Sequence, residues 1–169
     1  MRKNTVTGPR AGILALIMLV LAACSSPEED TQIVDANSGY NTALDMVELM
    51  TLVLEPASDI LWESAGWVTT TAGTEELYPT TDDGWAFVRA QAAVVVESGN
   101  LLAMPGRAVD QDAWQIYSEG LSAAGILAMD SAATQNKEEF FQAGAQIYSV
   151  CTACHQAYNP DILNAFDVN

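Results

Sequence analysis

Basic residues are scarce in this 169-residue chain: six Lys and Arg stand against 22 Asp and Glu. Arg2, Lys3 and Arg10 all precede residue 11. From residue 24 onward only Arg89, Arg107 and Lys137 face the 22 acids, a net charge of −19. Such a surface repels nucleic-acid phosphates and anionic lipid headgroups. It suits a basic redox partner, or simple solubility in a salty medium. No internal repeat, β-rich domain or Gly-rich phosphate loop is visible. Histidine occurs once, as His155, and cysteine three times. The longest apolar run, Ala11 to Ala23, is too short for a spanning helix.

That run follows a basic start and ends in Leu21-Ala22-Ala23-Cys24, the layout of an export signal. Its end resembles a bacterial lipobox, which implies cleavage before Cys24 and acylation of its thiol. The alternative is an ordinary export signal with an incidental cysteine. Residues 1–23 are therefore expected to be a lipoprotein-type signal peptide, and residues 24–38, rich in Ser, Pro, Glu and Asp, an acidic flexible tether. Ser25 resembles the outer-membrane sorting signal of some bacteria. The expected location is the periplasm, anchored by lipid, with the outer membrane favoured.

The remainder reads as helices. The first is expected from about Tyr40 to Ser64, with Met46, Met50, Val53, Ala57 and Ile60 as its apolar stripe. Pro56 should bend or break it near Glu55, and Gly66 should end it. A long Thr-rich connection, 67–80, favours an extended stretch at Val68–Thr71. The second helix is expected over Asp82–Ala103, capped by Thr81 and stopped by Met104-Pro105-Gly106. Asp110 caps a third over Gln111–Ala133. The fourth, Lys137–Tyr158, opens on an Asn136/Glu139 capping box and closes at Asn159-Pro160. Residues 161–169 are left as a tail. Four helices of roughly 33 Å, at about 1.5 Å per residue, predict an all-α, antiparallel up-down-up-down four-helix bundle over 39–160.

Two cysteines and the histidine fall together in Cys151-Thr152-Ala153-Cys154-His155, the C-x-x-C-H signature of covalent haem c attachment. On a helix the two thiols lie one turn apart on one face, and the neighbouring imidazole is an established iron ligand. A thioredoxin-type pair needs a βαβ context that is absent, and a structural zinc site needs a fourth ligand. A Cys151–Cys154 disulfide leaves His155 unexplained. With His155 on iron, no histidine remains as a general base, and the chain is expected not to be an enzyme.

A helical bundle whose C-x-x-C-H lies at the end of its last helix resembles the class II cytochromes c, the cytochrome c′ and cytochrome c-556 group. Cys151 to Tyr158 is similar to that family's C-x-x-C-H-x-x-[YF] ending, and helix order carries the likeness over 40–160. The resemblance implies one haem c bound through Cys151 and Cys154, with His155 as proximal ligand and the first helix lining the distal side. Low-spin members use a methionine of that helix as sixth ligand; here Met50 is the candidate and Met46 the alternative, while both also suit a core. Tyr158 is expected to shield the haem edge. If a methionine binds, single-electron transfer follows. If none binds, the open position takes NO or CO; a structural or adaptor lipoprotein is the remaining reading. Homodimers are common in the family. The chain departs from it where an arginine often follows the closing aromatic: Asn159 stands there, and residues 31–66 hold no Lys or Arg. Arg89 and Arg107 are left as candidates for the haem propionates. Trp62, Trp67, Trp85 and Trp114 are candidates for packing near the ring.

Overall fold

A computed structural model describes residues 39–164, all within a single compact unit. The signal peptide, Cys24 and the tether to residue 38 lie outside the described residues, as does the chain beyond 164. The described fold is mostly helical, in line with an all-α class.

The first rod begins at Met46, six residues later than its periodicity suggests. Asp45 forms a reciprocal capping box with Glu48: its carboxylate accepts from Glu48 N at 2.8 Å, and Glu48 returns the bond to Asp45 N at 3.1 Å. That satisfies two orphan groups at once and fixes the start. The rod has three parts: α1 (Met46–Leu49), a π-helical turn (Met50–Leu54) and α2 (Glu55–Glu63). The break falls where Pro56 requires it. Pro56 has no N–H for the carbonyl four residues back, and its ring would clash there. The chain widens just before it, and Glu55 N bonds to Met50 O.

The extra residue in that turn changes which side chains reach the core. Leu49, Leu54, Ala57 and Leu61 are buried. Met46, Met50, Val53 and Ile60, expected as the seam, pack only half-buried against it. Leu49 and Leu54 are five apart, a spacing outside the regular helical period, which is why the expected stripe misses them.

Gly66 ends the rod with φ +92°, and an added Cβ would meet the Phe141 ring at 3.4 Å. The Thr-rich connection then forms an antiparallel hairpin, β1 (Trp67–Thr70) and β2 (Gly73–Glu76), pairing Trp67 with Glu76 and Thr70 with Gly73. Trp67 stacks on Phe141, and Lys137 pairs with Glu76. These contacts hold the hairpin to the start of the last long helix.

Helices α3 (Asp82–Ala103) and α5 (Lys137–Tyr158) match their expected bounds. Thr81 accepts from Gly84 N, and Asn136 accepts from Glu139 N. Helix α4 (Ala113–Thr134) starts two residues late, with Asp112 at the cap position. Asp110 still serves it from outside, accepting from Asp112 N at 2.9 Å and Trp114 N at 3.0 Å. The expected tail opens as a short helix, α6 (Pro160–Asn164).

Contacts near their ends tie the long helices together. Trp114 Nε1 at the start of α4 donates to Leu102 O near the end of α3, while Gln135 just past α4 reaches Asp82 at the start of α3. Between them the backbones come close: a Cβ on Gly99 would stand 2.5 Å from Ser118 O, and one on Gly125 2.9 Å from Val96 N. Ser122 Oγ crosses to Val96 O at 2.8 Å. Tyr158 at the end of α5 packs on Trp114 and Tyr117 at the start of α4. Trp62, late in the rod, donates to Gly144 O of α5 at 2.9 Å. Arg107, after α3, donates to Leu44 O ahead of the rod at 3.4 Å.

Candidate functional site

The last turns of α5 carry Cys151, Cys154 and His155 on the flank facing the first rod. Helix α5 buries Phe140, Gly144 and Ile147 lower on the same stripe, so the four-three alternation carries Cys151, Cys154 and Tyr158 towards the interior. All four end-of-helix side chains are half-buried. They line a cleft of about 530 Å³, within the roughly 300–1,000 Å³ range of cofactor and small-molecule sites.

The facing wall is the rod. Met46, Met50, Leu54, Ser58 and Trp62 line it at a constant spacing of four, with Val47, Thr51, Glu55 and Asp59 beside them. In an unbroken α-helix a four-residue row advances about 40° per step, or about 160° over the sixteen residues from Met46 to Trp62. The extra residue of the π-turn removes about 100° of that. The row is thereby confined to about 60° and faces the cleft along its whole length.

Trp114, Tyr117, Ser118 and Leu121 of α4 form the floor, joined by Leu102 and Val109. Ile162 of α6 closes one end, so the segment expected as a tail contributes to the site. Among the described residues no Lys or Arg lines the cleft.

Cys151 and Cys154 are unpaired thiols. Burial, then the neighbouring Cys154, pushes the Cys151 thiol up to about 11, and burial raises Cys154. Both are neutral at physiological pH, and thiols rather than thiolates are poor metal ligands. Among the described residues no group of three or more His, Cys, Asp or Glu is gathered as an ion site. Among the described residues the His155 imidazole has no hydrogen-bond partner. Met50, first residue of the π-turn, and Met46, one turn earlier, both reach the cleft from across.

Tyr158 is fixed by a hydrogen bond donated to the Asp110 carboxylate and by its edge-on packing on Trp114, with ring centroids 5.0 Å apart. The carboxylate bond, then burial, pushes the phenol up to about 12; the same bond lowers the Asp110 carboxyl. Of the four tryptophans, Trp62 and Trp114 line the cleft. Trp85 is buried against Phe140 and Trp67 lies on the hairpin. Arg89 is exposed on α3, and Arg107 lies in the loop leading to Val109.

Two features escape sequence reasoning. Ser58 is 2 % exposed, lines the cleft, and its hydroxyl has no partner. The other buried serines, Ser98, Ser118 and Ser131, bond back to the carbonyl four residues earlier. For Ser58 that carbonyl belongs to Leu54, the last residue of the π-turn. The second is the Asp110–Tyr158 pair, 48 residues apart in sequence. The spacing of four from Met46 to Trp62 is present in the sequence, but only a widened turn turns it into one face.

Chemically, this is a deep apolar slot with two neutral thiols and a free imidazole on one wall and thioethers on the other. It can hold a flat apolar group edge-tethered to α5. No helix among the described residues is long and apolar enough to cross a membrane. No protein-family model, curated protein or solved structure matches this chain.

Proposed function

We propose that the chain is a monohaem c-type cytochrome of the class II kind, folded as an antiparallel up-down-up-down four-helix bundle, that passes single electrons between redox partners. The supporting observation is the convergence of Cys151, Cys154 and His155 with Met50 on one apolar cleft of cofactor size. The residues fit the group. Two unpaired thiols one turn apart are available for thioether bonds to the vinyl edge of a porphyrin, and the adjacent imidazole, free of other partners, suits the iron. When bound, haem supplies a one-electron ferric–ferrous couple.

The chain's own contributions follow from the walls. Cys151 and Cys154 hold the ring's edge to α5. His155 would hold the iron from the α5 side, and Met50, with Met46 the alternative, from the rod; a thioether ligand there would raise the reduction potential. Leu54, Trp114 and Leu121 exclude water, which favours the less charged state of the site. Asp110 pins Tyr158 over the end of the cleft, where it shields the ring edge. The acidic surface attracts a partner with a basic docking patch. Acylated Cys24 ties the bundle to a bacterial membrane, facing the periplasm, with the outer membrane favoured.

Three measurements on protein from a haem-c maturation-competent host test this. Mass spectrometry should find one covalently added haem; an unmodified mass overturns the reading. The oxidised spectrum should show the far-red methionine-sulfur-to-iron band, lost in Met50→Leu and kept in Met46→Leu. If the band is missing and the reduced protein takes up carbon monoxide, the site is the five-coordinate gas-binding kind. Reversible, fast reduction at an electrode separates a carrier from a structural lipoprotein that uses haem only to fold.

A further inference from the structure

We propose that the mouth of this cleft is the face on which the redox partner docks, and that the partner is a basic protein whose contact patch is apolar at its centre and ringed by Lys and Arg. The assignment rests on the electron-carrier reading above. Beside the deep row of the rod runs a second row of the same spacing: Val47, Thr51, Glu55 and Asp59. Each member follows a deep-row residue by one position, about 100° further round the rod. All four line the cleft and all four are exposed, so they form its rim, where the slot meets solvent.

The rim has two characters. Its apolar part comes from three elements: Val47 on α1, Val109 in the connection ahead of α4, and Tyr148 on α5. Each is more than half exposed. Single exposed apolar side chains are ordinary, but three from separate elements round one opening make a contact surface. Tyr148 packs edge-on against Trp62, three residues past Asp59, so its ring is held in place before any partner arrives. A pre-set aromatic gives contact area at little entropic cost.

The acidic part is Glu55 and Asp59, four apart and so on one side of α2. Among the described residues no cation lines the cleft to answer them. Of the basic side chains described, Lys137 is paired with Glu76, Arg89 is exposed on α3, and Arg107 reaches to Leu44 O. The charge at the mouth therefore has the sign of the whole chain. Opposite potentials set the encounter rate and the register of a complex, while a desolvated apolar centre holds it. A second copy suits this face poorly, because a two-fold interface sets the patch against itself and brings Glu55 and Asp59 towards their own counterparts. An anionic membrane surface is repelled for the same reason.

The test pairs the haem-loaded protein with a lysine-rich cytochrome c of the mitochondrial kind as a basic probe. A zero-length carbodiimide joins carboxylates to lysines in contact, and mass spectrometry locates the bonds, which should concentrate on Glu55 and Asp59. Stopped-flow mixing reads electron transfer in whichever direction is downhill. Glu55→Gln combined with Asp59→Asn should lower the second-order rate constant roughly three- to ten-fold at low salt and flatten its salt dependence. Glu97→Gln combined with Asp130→Asn, an equal change of charge at exposed positions outside the lining, should have a clearly smaller effect. Val109→Ser should weaken probe binding and leave the salt slope alone; parental binding overturns the apolar centre. Cross-links spread evenly over the acids, or two double variants that act alike, overturn the docking face while the haem reading stands. Concentration-dependent dimers abolished by Val109→Ser would give the rim to a second copy and overturn the basic partner. A parent protein without covalent haem overturns the cytochrome reading, and this assignment with it.

Discussion

Pro56 and the π-turn should compensate each other, and deletion of Leu52 tests this. Leu52 is 64 % exposed, so its side chain contributes little packing. Removing it takes out the extra residue, lets 46–63 form a regular helix, and leaves both halves of the rod facing as they do now. Leu49 and Leu54 become four apart and stay in the core. Met50 and Ser58 stay in the cleft. The new conflict is at Pro56, whose ring then meets the carbonyl of Thr51 in a regular helical turn. A proline inside a helix costs about 3 kcal/mol or more. The deletion alone should therefore destabilise by about 3 kcal/mol, or roughly 10 °C in Tm for a domain of this size. Combining it with Pro56→Ala should recover most of that loss, so the two changes couple strongly. Thermal and urea unfolding of the four proteins in the cycle measure the coupling. On the haem reading proposed above, the far-red band assigned to Met50 should persist in the double variant, because the register of the rod is unchanged. The reasoning fails if the single deletion costs under about 1 kcal/mol or if the double variant is no more stable than the deletion.

Other outcomes follow from single contacts. Gly99→Ala should destabilise by about 1–3 kcal/mol in urea unfolding, because its Cβ would press on the fixed Ser118 carbonyl. Trp62→Phe should cost about 1 kcal/mol by losing the bond to Gly144 O, seen as a lower urea midpoint. Asp110→Asn should bring the Tyr158 phenol down from about 12 towards its ordinary value, read by tyrosinate absorbance. The Asp110–Tyr158 bond also sets two pH windows. The lowered Asp110 carboxyl adds stability above its unfolded value of about 3.9, lost as pH falls below it. The raised phenol adds stability below about 10, lost as pH climbs to about 12. Asp110→Asn should flatten both limbs of the stability–pH curve.

Where local signals agree, the chain is readable to the residue. Helices α3 and α5 begin and end as expected because Thr81 and Asn136 cap them and Met104-Pro105-Gly106 and Asn159-Pro160 stop them. Cys151, Cys154, His155 and Tyr158 share a helix, so their spacing alone puts them on one side. The first rod is different. Its π-turn comes from a conflict between Pro56 and tertiary packing, and no single period describes the residues on either side. Leu49 and Leu61 were therefore unreadable as core positions, although Met50 remained readable as a cleft residue. An extended stretch was foreseeable from the β-favouring sequence, but the hairpin's contacts with Lys137 and Phe141 join residues 61 and 74 positions apart. Ser58 stands out only once burial shows that its hydroxyl lacks a partner among the described residues.

The interlocked glycine–serine seam between α3 and α4 divides the labour of the molecule. Of all the side chains of α3, only Leu102 faces the slot; its neighbours are committed to α4 through the Gly99 and Gly125 approaches and the Ser122 bridge. The rod and the end of α5 are parted by the cleft and joined near Trp62, which donates to Gly144 O and packs edge-on against Tyr148. The paired α3 and α4 thus make the closely fitted flank, while the rod and the end of α5 set the shape of the slot.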